Sequence, residues 1–216
     1  MKITEFLLEL FYPSRCAFCR KSVGRGEGMC ADCGKKLPYT GENNEKQHFA
    51  NVKCCISPLY YEGAVREALL RYKFSGAAAY SSIFGKFMTK CIDETQISCD
   101  IITWVPLSRK RLRRRGYDQA RLLAEGVSEE LSLPCERALR KIRNNTAQSG
   151  ISDYARRHEN VSGAYEAVND ELFCGKRVLL IADIVTTGAT LSETASVLKK
   201  AGAAEVIALT AARRRD

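Results

Sequence analysis

The stretch "RVLLIADIVTTGAT", residues 177–190, decides the fold that we expect for the chain. Its apolar run from Val178 to Ile181 predicts a buried strand, and a threonine-rich loop around Gly188 follows. A helix is expected to open near Leu191. A strand, a glycine-containing loop and a helix in this order are typical of a phosphate-binding site.

Strand and helix patterns alternate on both sides of this stretch. Apolar runs predict strands in "DIITWVP" (100–106), "RVLLIAD" (177–183) and "EVIALTAA" (205–212). Helical spacing is present in "YYEGAVREALLRYKFSG" (60–76), "SSIFGKFMTKCID" (81–93), "YDQARLLAEGVSEELS" (117–132) and "LSETASVLKKAGA" (191–203). The alternation predicts an α/β fold with a parallel sheet, whose ligand lies beyond the carboxyl ends of the strands.

The composition indicates a folded protein with an anionic partner. The chain has 216 residues, 45% of them hydrophobic and 27% charged, which is enough for one α/β core plus a small module. No apolar run approaches the roughly 18 residues that span a bilayer, and residues 1–12 lack the features of a secretory signal. We therefore expect a cytoplasmic protein without membrane insertion. The formal net charge of +9 favours anionic partners, although a basic surface kept for solubility is the alternative.

Four of the ten cysteines have the spacing of metal ligands. They form two Cys-x-x-Cys pairs, Cys16 with Cys19 and Cys30 with Cys33, around a glycine-rich turn. Four thiolates complete a closed tetrahedral shell, which predicts a structural zinc ion. A thioredoxin-like redox motif is the alternative, but it needs a single pair at a helix start. Buried thiols are expected for the other cysteines: Cys54, Cys55, Cys91, Cys99, Cys135 and Cys174.

The chain is expected to form two units. Residues 1–50 hold the zinc-binding module and a linker, and residues 51–216 form the α/β domain. The polar stretch 40–53 has the composition of a linker, and His48 within it is expected to be solvated rather than a fifth metal ligand.

The loop that follows the decisive strand has the chemistry of a phosphate cradle. A helix start leaves backbone N–H groups unpaired, a glycine allows close approach, and threonine hydroxyls add donors. The residues concerned are Thr186, Thr187, Gly188, Ala189 and Thr190. An ordinary strand-to-helix turn capped by Thr190 is the alternative.

Residues 177–190 as a whole resemble the phosphoribosyl-pyrophosphate motif of type I phosphoribosyltransferases. The resemblance implies that the loop holds a 5′-phosphate and that Asp183 is the catalytic acid, which binds ribose hydroxyls and organises Mg²⁺. The family has a second acid where this chain has Ala182. Losing charge-assisted hydrogen bonds of roughly 1.5–3 kcal/mol each would weaken ribose binding about tenfold to a hundredfold. The sequence leaves open whether Ala182 is natural or engineered.

The order of several motifs is similar to that of the ComF-family competence proteins. Besides the zinc module, these motifs are "YYEGAVREALLRYKFSG" (60–76), "VPLSRKRLRRRGYDQARLLA" (105–124), "LRKIRNNTAQSG" (139–150) and "RRHENVSGAY" (156–165). Asp118 stands where the family typically has asparagine. The resemblance implies a phosphoribosyltransferase-like domain behind a zinc module and a role with single-stranded DNA in natural transformation. It also implies a competence helicase and a recombination mediator as partners.

The segment 105–124 carries more cations than a small ligand needs. By the resemblance, Ser108 and Arg109 lie at the pyrophosphate site. The cations expected to contact a nucleic-acid backbone are Lys110, Arg111, Arg113, Arg114 and Arg115. Tyr117 is expected to stack on unpaired bases, whereas Trp104 is expected in the core. A solvated helix face is the alternative for the arginines.

Three functions follow from these patterns. The favoured hypothesis is a competence factor that binds single-stranded DNA on a phosphoribosyltransferase-like scaffold. The second is an active phosphoribosyltransferase that uses phosphoribosyl pyrophosphate and an unidentified acceptor. The third is an adaptor that docks other competence proteins through its zinc module.

Overall fold

The computed structural model describes residues 14–41, 46–143 and 163–215. The amino-terminal stretch 1–12 lies outside the described residues, as does most of the two motifs at 139–150 and 156–165. Within the described ranges, no helix is both long enough and apolar enough to cross a bilayer.

A five-stranded sheet forms the centre of the molecule. Its strands are β1 (Gln47–Phe49), β2 (Val52–Ile56), β3 (Ile101–Trp104), β6 (Arg177–Val185) and β7 (Glu205–Arg213). Their order is β1-β2-β7-β6-β3, and every pairing is parallel except that of β1 with β2. A separate antiparallel pair consists of β4 (Leu139–Lys141) and β5 (Tyr165–Ala167).

Helices connect the strands and cover the sheet. They are α1 (Ala31–Lys36), α2 (Gly63–Phe74), α3 (Tyr80–Thr95), α4 (Arg109–Arg115), α5 (Gln119–Leu131) and α6 (Ala189–Lys200). A 3₁₀ turn, Asp170–Leu172, precedes β6. The predicted α/β class with a largely parallel sheet is confirmed.

Alternation along β6 separates the core into two layers. Leu179 and Ile181 pack with residues of α3 and α5, such as Met88. Val178 and Leu180 pack with residues of α6, such as Leu198. Because successive side chains of a strand point to opposite faces, the continuous apolar run from Val178 to Ala182 serves both layers.

Two segments differ from the expected pattern. Strand β6 continues to Val185, two residues beyond the predicted stretch 177–183, so Asp183 lies inside the strand rather than at its end. Residues 47–49, expected in the linker, form β1 and pair with β2. His48 on this strand is exposed, and its Nδ1 lies 3.0 Å from the carbonyl oxygen of Lys53.

The cysteines outside the metal pairs are free, and most of them are buried as expected. Cys54, Cys55, Cys91 and Cys99 are buried, and Cys135 is half-buried. The expectation was wrong for Cys174, which is exposed because it lies in the surface turn between the 3₁₀ turn and β6.

Candidate functional site

The four paired cysteines converge on one point. The Sγ atoms of Cys16, Cys19, Cys30 and Cys33 all lie within 4.8 Å of one another. Two of them, those of Cys19 and Cys30, are 3.6 Å apart. Tetrahedral zinc with Zn–S bonds of about 2.3 Å separates its sulfurs by about 3.8 Å. The cluster therefore fits a closed zinc shell and leaves no protein-derived open position.

Local hydrogen bonds favour the thiolate form of one cysteine of this cluster, Cys16. Burial opposes ionisation of Cys16, but the backbone N–H groups of Cys19, Cys30 and Phe18 hold its thiol pKa at about 6. Burial and the neighbouring thiols raise the pKa of Cys33. Several thiols this close cannot all ionise without a cation between them, so a divalent metal is the chemistry that the cluster requires.

The zinc module is packed onto the main domain. Cys16 and Phe18 are buried in the layer of the core that also contains Phe84, and the two phenylalanine rings meet edge to face at 6.0 Å. Arg71 of α2 donates hydrogen bonds to the carbonyl oxygens of Ala17 and Phe18, at 2.7 and 3.2 Å. The module is thus held by both an apolar contact and a charged donor.

A cleft opens at the carboxyl ends of β3 and β6, where a parallel sheet places its ligands. We call it the main cleft, and its cavity volume is about 210 Å³. Its walls are residues 105–108 after β3, residues 182–185 of β6 and residues 186–190, which we call the phosphate loop. Residues from α2, α4, the start of α5 and the β4–β5 pair also line it.

The phosphate loop presents free backbone donors to the main cleft. Within the described part of the chain, the N–H groups of residues 186–191 donate no hydrogen bond. The first internal bond of α6 starts at Ser192, whose N–H donates to the carbonyl oxygen of Gly188 at 2.8 Å. Free N–H groups at the start of a twelve-residue helix favour an anion.

Gly188 is required by its own surroundings. Its φ of +72° lies in the left-handed region, and a Cβ at this position would lie 2.1 Å from Cδ1 of Phe49. Phe49 comes from β1, and it does not line the main cleft. It supports the phosphate loop from behind, a role with no signal in the sequence.

Among the described residues that line the main cleft, Asp183 is the only acid. Its Oδ2 lies 2.9 Å from Nζ of Lys73, and its Oδ1 accepts the N–H of Ile184 at 2.7 Å. A resident Mg²⁺ prefers several carboxylate oxygens. Because the adjacent position is Ala182 and Asp183 already pairs with Lys73, these residues do not fit the magnesium ion that the resemblance implies.

Four cationic side chains line the main cleft together with Asp183. Lys73 comes from α2, Arg111 and Arg115 from α4, and Lys141 from β4. Burial lowers the pKa of Arg115, an effect that Asp183 opposes. Its Nη1 donates to Gln119 at 2.6 Å, whereas its buried Nε has no hydrogen-bond partner among the described residues.

Lys141 reaches the main cleft together with Tyr165. Its Nζ donates to the Tyr165 hydroxyl at 2.9 Å. Burial, with a smaller contribution from Arg111, lowers the pKa of Lys141 to about 8. Burial raises the pKa of Tyr165, so this hydroxyl stays protonated. The β4–β5 pair therefore adds a positive wall to the cleft, which the sequence analysis did not predict.

Ser108 and Asp118 shape the loop after β3. The Ser108 side chain caps α4 by accepting the N–H of Arg111 at 3.4 Å, and the residue is buried. Asp118 caps α5 and also accepts the N–H of Leu107 at 3.0 Å. Burial raises the pKa of Asp118, although these N–H groups oppose the effect. Asp118 thus fixes the loop and does not itself line the main cleft.

The cations of α4 divide between two faces. Arg111 and Arg115, which the sequence analysis assigned to nucleic acid, line the main cleft. Arg109, which it assigned to pyrophosphate, is exposed and is not part of the lining. We call the exposed set the outer face of α4; it consists of Arg109, Lys110, Arg113 and Arg114.

The aromatic residues near α4 have distinct environments. Trp104 is buried in the core, as expected. Tyr117 packs its ring 5.9 Å from that of Tyr72 and donates its hydroxyl to the Tyr72 carbonyl oxygen. Phe74, which the sequence analysis passed over, is 56% exposed and lies beneath the guanidinium of Arg115 at 4.8 Å.

Comparisons with known proteins agree with this architecture. A family described as "Double zinc ribbon domain" matches residues 7–44, and one described as "Phosphoribosyl transferase domain" matches residues 118–216. "Competence protein F" of Haemophilus influenzae is 28% identical over 220 residues, which cover 91% of this chain and 95% of that protein. "DNA utilization protein YhgH" of Escherichia coli K12 is 26% identical, with 91% and 96% covered. "Competence protein ComFC" of Bacillus subtilis is 32% identical, with 69% and 60% covered.

Fold and site together define a phosphoribosyltransferase-like domain that carries a four-cysteine zinc module. The resemblance to the ComF-family competence proteins, predicted from the order of motifs, is confirmed by relatives that match over most of the chain.

Proposed function

We propose that this protein acts in competence and DNA uptake by binding single-stranded DNA along α4, with a phosphorylated ligand in the main cleft. The names of its relatives, competence proteins and DNA utilization proteins, support the process. The observation that carries the binding mode is the outer face of α4. Its four cations are exposed and form no ion pair within the described residues.

The spacing of the outer face suits an extended polyanion. Arg109 and Arg113 are four residues apart, as are Lys110 and Arg114, so both pairs lie along one side of the helix. Cations without acidic neighbours gain the full benefit of phosphate contacts, because each contact releases condensed counterions. The inner cations Arg111 and Arg115 lie on the other side and serve the main cleft.

Phe74 is the ring that we assign to base stacking. It is exposed, it ends α2, and the guanidinium groups of Arg114 and Arg115 lie 5.9 and 4.8 Å from its centroid. An exposed ring beside a row of cations is the arrangement that binds single strands without base specificity. Tyr117 is less suited, because its ring and hydroxyl already contact Tyr72.

Fluorescence anisotropy with a labelled oligonucleotide, measured over a range of salt concentrations, tests the proposal. Replacing Arg109 and Arg113 by glutamine should reduce the slope of log K against log salt by about 1.4, since each single-strand contact contributes about 0.7. The matched control replaces the exposed Lys86 and Lys90 of α3 by glutamine. Absence of binding at low salt, or an equal loss in the control, contradicts the proposal.

A second variant separates stacking from charge. Phe74→Ala should weaken oligonucleotide binding by about 1–3 kcal/mol while leaving the salt slope unchanged. Because more than half of the ring is exposed, thermal stability should change little. A Phe74→Ala protein that binds DNA as tightly as the parent removes Phe74 from the interface.

Phosphoribosyl transfer is the second candidate function. The free N–H groups of the phosphate loop and the cations around Asp183 favour it, since stabilising a departing pyrophosphate is the main task of such a site. Release of pyrophosphate from phosphoribosyl pyrophosphate, measured with and without Mg²⁺, tests it. No release and no binding heat for either the parent chain or an Ala182→Asp variant counts against catalysis.

The helicase and recombination-mediator partners remain proposals from the resemblance. Because Cys16 and Phe18 are part of the core, deleting the zinc module would disturb the main domain. Charge reversal at the exposed Lys35 and Lys36 of α1 is the cleaner test in a pull-down experiment. Unchanged capture of both partners would exclude this surface.

A further inference from the structure

We propose that the main cleft binds a sugar diphosphate without a divalent cation, and that Lys73 supplies the positive charge that a metal would supply. The inference rests on the phosphorylated ligand of the proposed function and specifies how that ligand is held. It follows from three features of the cleft: the pairing of Asp183, the placement of Lys73 and the surplus of cations.

The first feature is that the Asp183 carboxylate already has an ion-pair partner. Asp183 has one oxygen 2.9 Å from the Lys73 ammonium and the other bonded to a backbone N–H at 2.7 Å. A metal ion would have to displace the ammonium, and among the described residues of the cleft lining it would find no second carboxylate, since the neighbouring residue is Ala182. Asp183 can still accept sugar hydroxyls, because each ionised oxygen accepts more than one hydrogen bond.

The second feature is that Lys73 cannot easily move away. Its side chain is only 16% exposed, and that of Asp183 is 24% exposed. The residues before it anchor α2 on both sides: Arg71 donates to the zinc module, and the buried Tyr72 donates to the carbonyl oxygen of Gln119 at 2.8 Å. Separating the pair would leave two charges poorly solvated, which costs more than separating an exposed pair.

The third feature is the charge balance of the described cleft lining. In the part of the chain that the structure describes, four cationic side chains line the cleft, and Asp183 is the only acid; the cations are Lys73, Arg111, Arg115 and Lys141. One of these cations is offset by Asp183, and three remain for an anionic ligand. The buried Nε of Arg115 has no hydrogen-bond partner among the described residues, so the charge of this guanidinium is not fully offset within the protein.

These features assign a place to each part of the ligand. A terminal phosphate lies on the free N–H groups of the phosphate loop, the sugar hydroxyls lie at Asp183, and the diphosphate lies among the cations of α4 and Lys141. A resident metal in this arrangement would add to a positive charge that the side chains already provide.

Calorimetric titration of the full-length, zinc-loaded protein tests this inference. The probes are phosphoribosyl pyrophosphate and inorganic pyrophosphate, each in magnesium-free buffer and in buffer with millimolar Mg²⁺. Magnesium is removed by passing buffers over a chelating resin, because a soluble chelator would also strip the structural zinc. We expect affinities in the two buffers to agree within about threefold, well under one tenfold step of 1.4 kcal/mol.

Variants identify the responsible side chain. Lys73→Met should weaken binding in magnesium-free buffer at least tenfold, the order expected for one charge-assisted contact. Added Mg²⁺ should restore part of the lost affinity in this variant, because Asp183 no longer has an ammonium partner and can bind the metal ion. Lys90→Met is the matched control, since Lys90 also pairs with an acid, Glu94, but on the exposed surface of α3. Zinc content and thermal unfolding verify that each variant is folded.

The outcomes are distinct. Binding of the parent protein only when Mg²⁺ is present overturns the inference, and so does unchanged affinity of a folded Lys73→Met protein in magnesium-free buffer. The inference is also overturned if neither phosphoribosyl pyrophosphate nor inorganic pyrophosphate binds in either buffer. The oligonucleotide titration, performed on the same preparations, decides separately whether the proposed DNA-binding function stands.

Discussion

Replacing Gly188 by alanine should destabilise the phosphate loop through two separable effects. The backbone effect comes from its φ of +72°, a conformation that costs an L-residue roughly 1–2 kcal/mol. The packing effect comes from Phe49, whose Cδ1 would lie 2.1 Å from the new Cβ, far inside the normal contact distance. Forcing one carbon into a packed site costs about 1–3 kcal/mol. The sum is a loss of about 2–5 kcal/mol in the free energy of unfolding.

A double-mutant cycle separates the two effects. In a Phe49→Ala background the packing term disappears, so Gly188→Ala should cost only the roughly 1–2 kcal/mol of the backbone term. The control is Gly126→Ala in the middle of α5, where a Cβ meets nothing within 4 Å and the free energy of unfolding should stay equal or rise by up to about 1 kcal/mol. Urea unfolding measures each step. An equal penalty in both backgrounds would refute the steric role of Phe49, and a penalty near zero would refute the strained backbone as well.

Three further predictions concern the metal, the cap of α4 and pH. Chelation of zinc should unfold the module and expose Phe18, which tryptic digestion and apolar-dye binding detect; resistance to both would contradict a structural metal. Ser108→Ala should lower the free energy of unfolding by about 0.5–2 kcal/mol, whereas Lys90→Ala on the surface should not. Lys141 has a pKa of about 8, so it loses its charge as pH rises through 8, and affinity for pyrophosphate should fall between pH 7 and 9. Lys141→Met should abolish this part of the pH dependence, and a flat profile for the parent protein would contradict the assignment.

The elements with strong local patterns were predictable from the sequence. The apolar run of β6 and the spacing of α6 fix the phosphate loop, because a buried strand and an amphipathic helix each have a characteristic period. The two Cys-x-x-Cys pairs fix the metal cluster, since their turns bring four sulfurs together. These features established both the fold class and the metal module.

Contacts between distant segments could not be predicted in this way. Lys73 lies in the last turn of a helix and Asp183 lies within a strand, and neither position indicates that the two side chains meet. Phe49 lies on a strand of three residues, too short to show a period. The position of Lys141 depends on the small β4–β5 pair, whose strands lie on either side of a long segment.

The assignment of cations within α4 was predictable in principle. Once the helix begins at Arg109, residues 111 and 115 share one face and the outer cations share another. The sequence analysis divided these residues by their order along the chain rather than by helical phase, and so it did not predict that Arg111 and Arg115 line the main cleft whereas Arg109 does not.

Helix α2 contacts both the cysteine-rich lobe and the main cleft. Three consecutive residues near its carboxyl end contact three parts of the molecule: Arg71 holds carbonyl groups of the cysteine-rich lobe, Tyr72 fills the core, and Lys73 pairs with Asp183. One helical turn spans only about 5.4 Å, so these three contacts lie within a single turn of the helix. We therefore expect removal of the zinc ion, which would free the carbonyl groups that Arg71 holds, to disturb the Lys73–Asp183 pair in the ligand cleft as well.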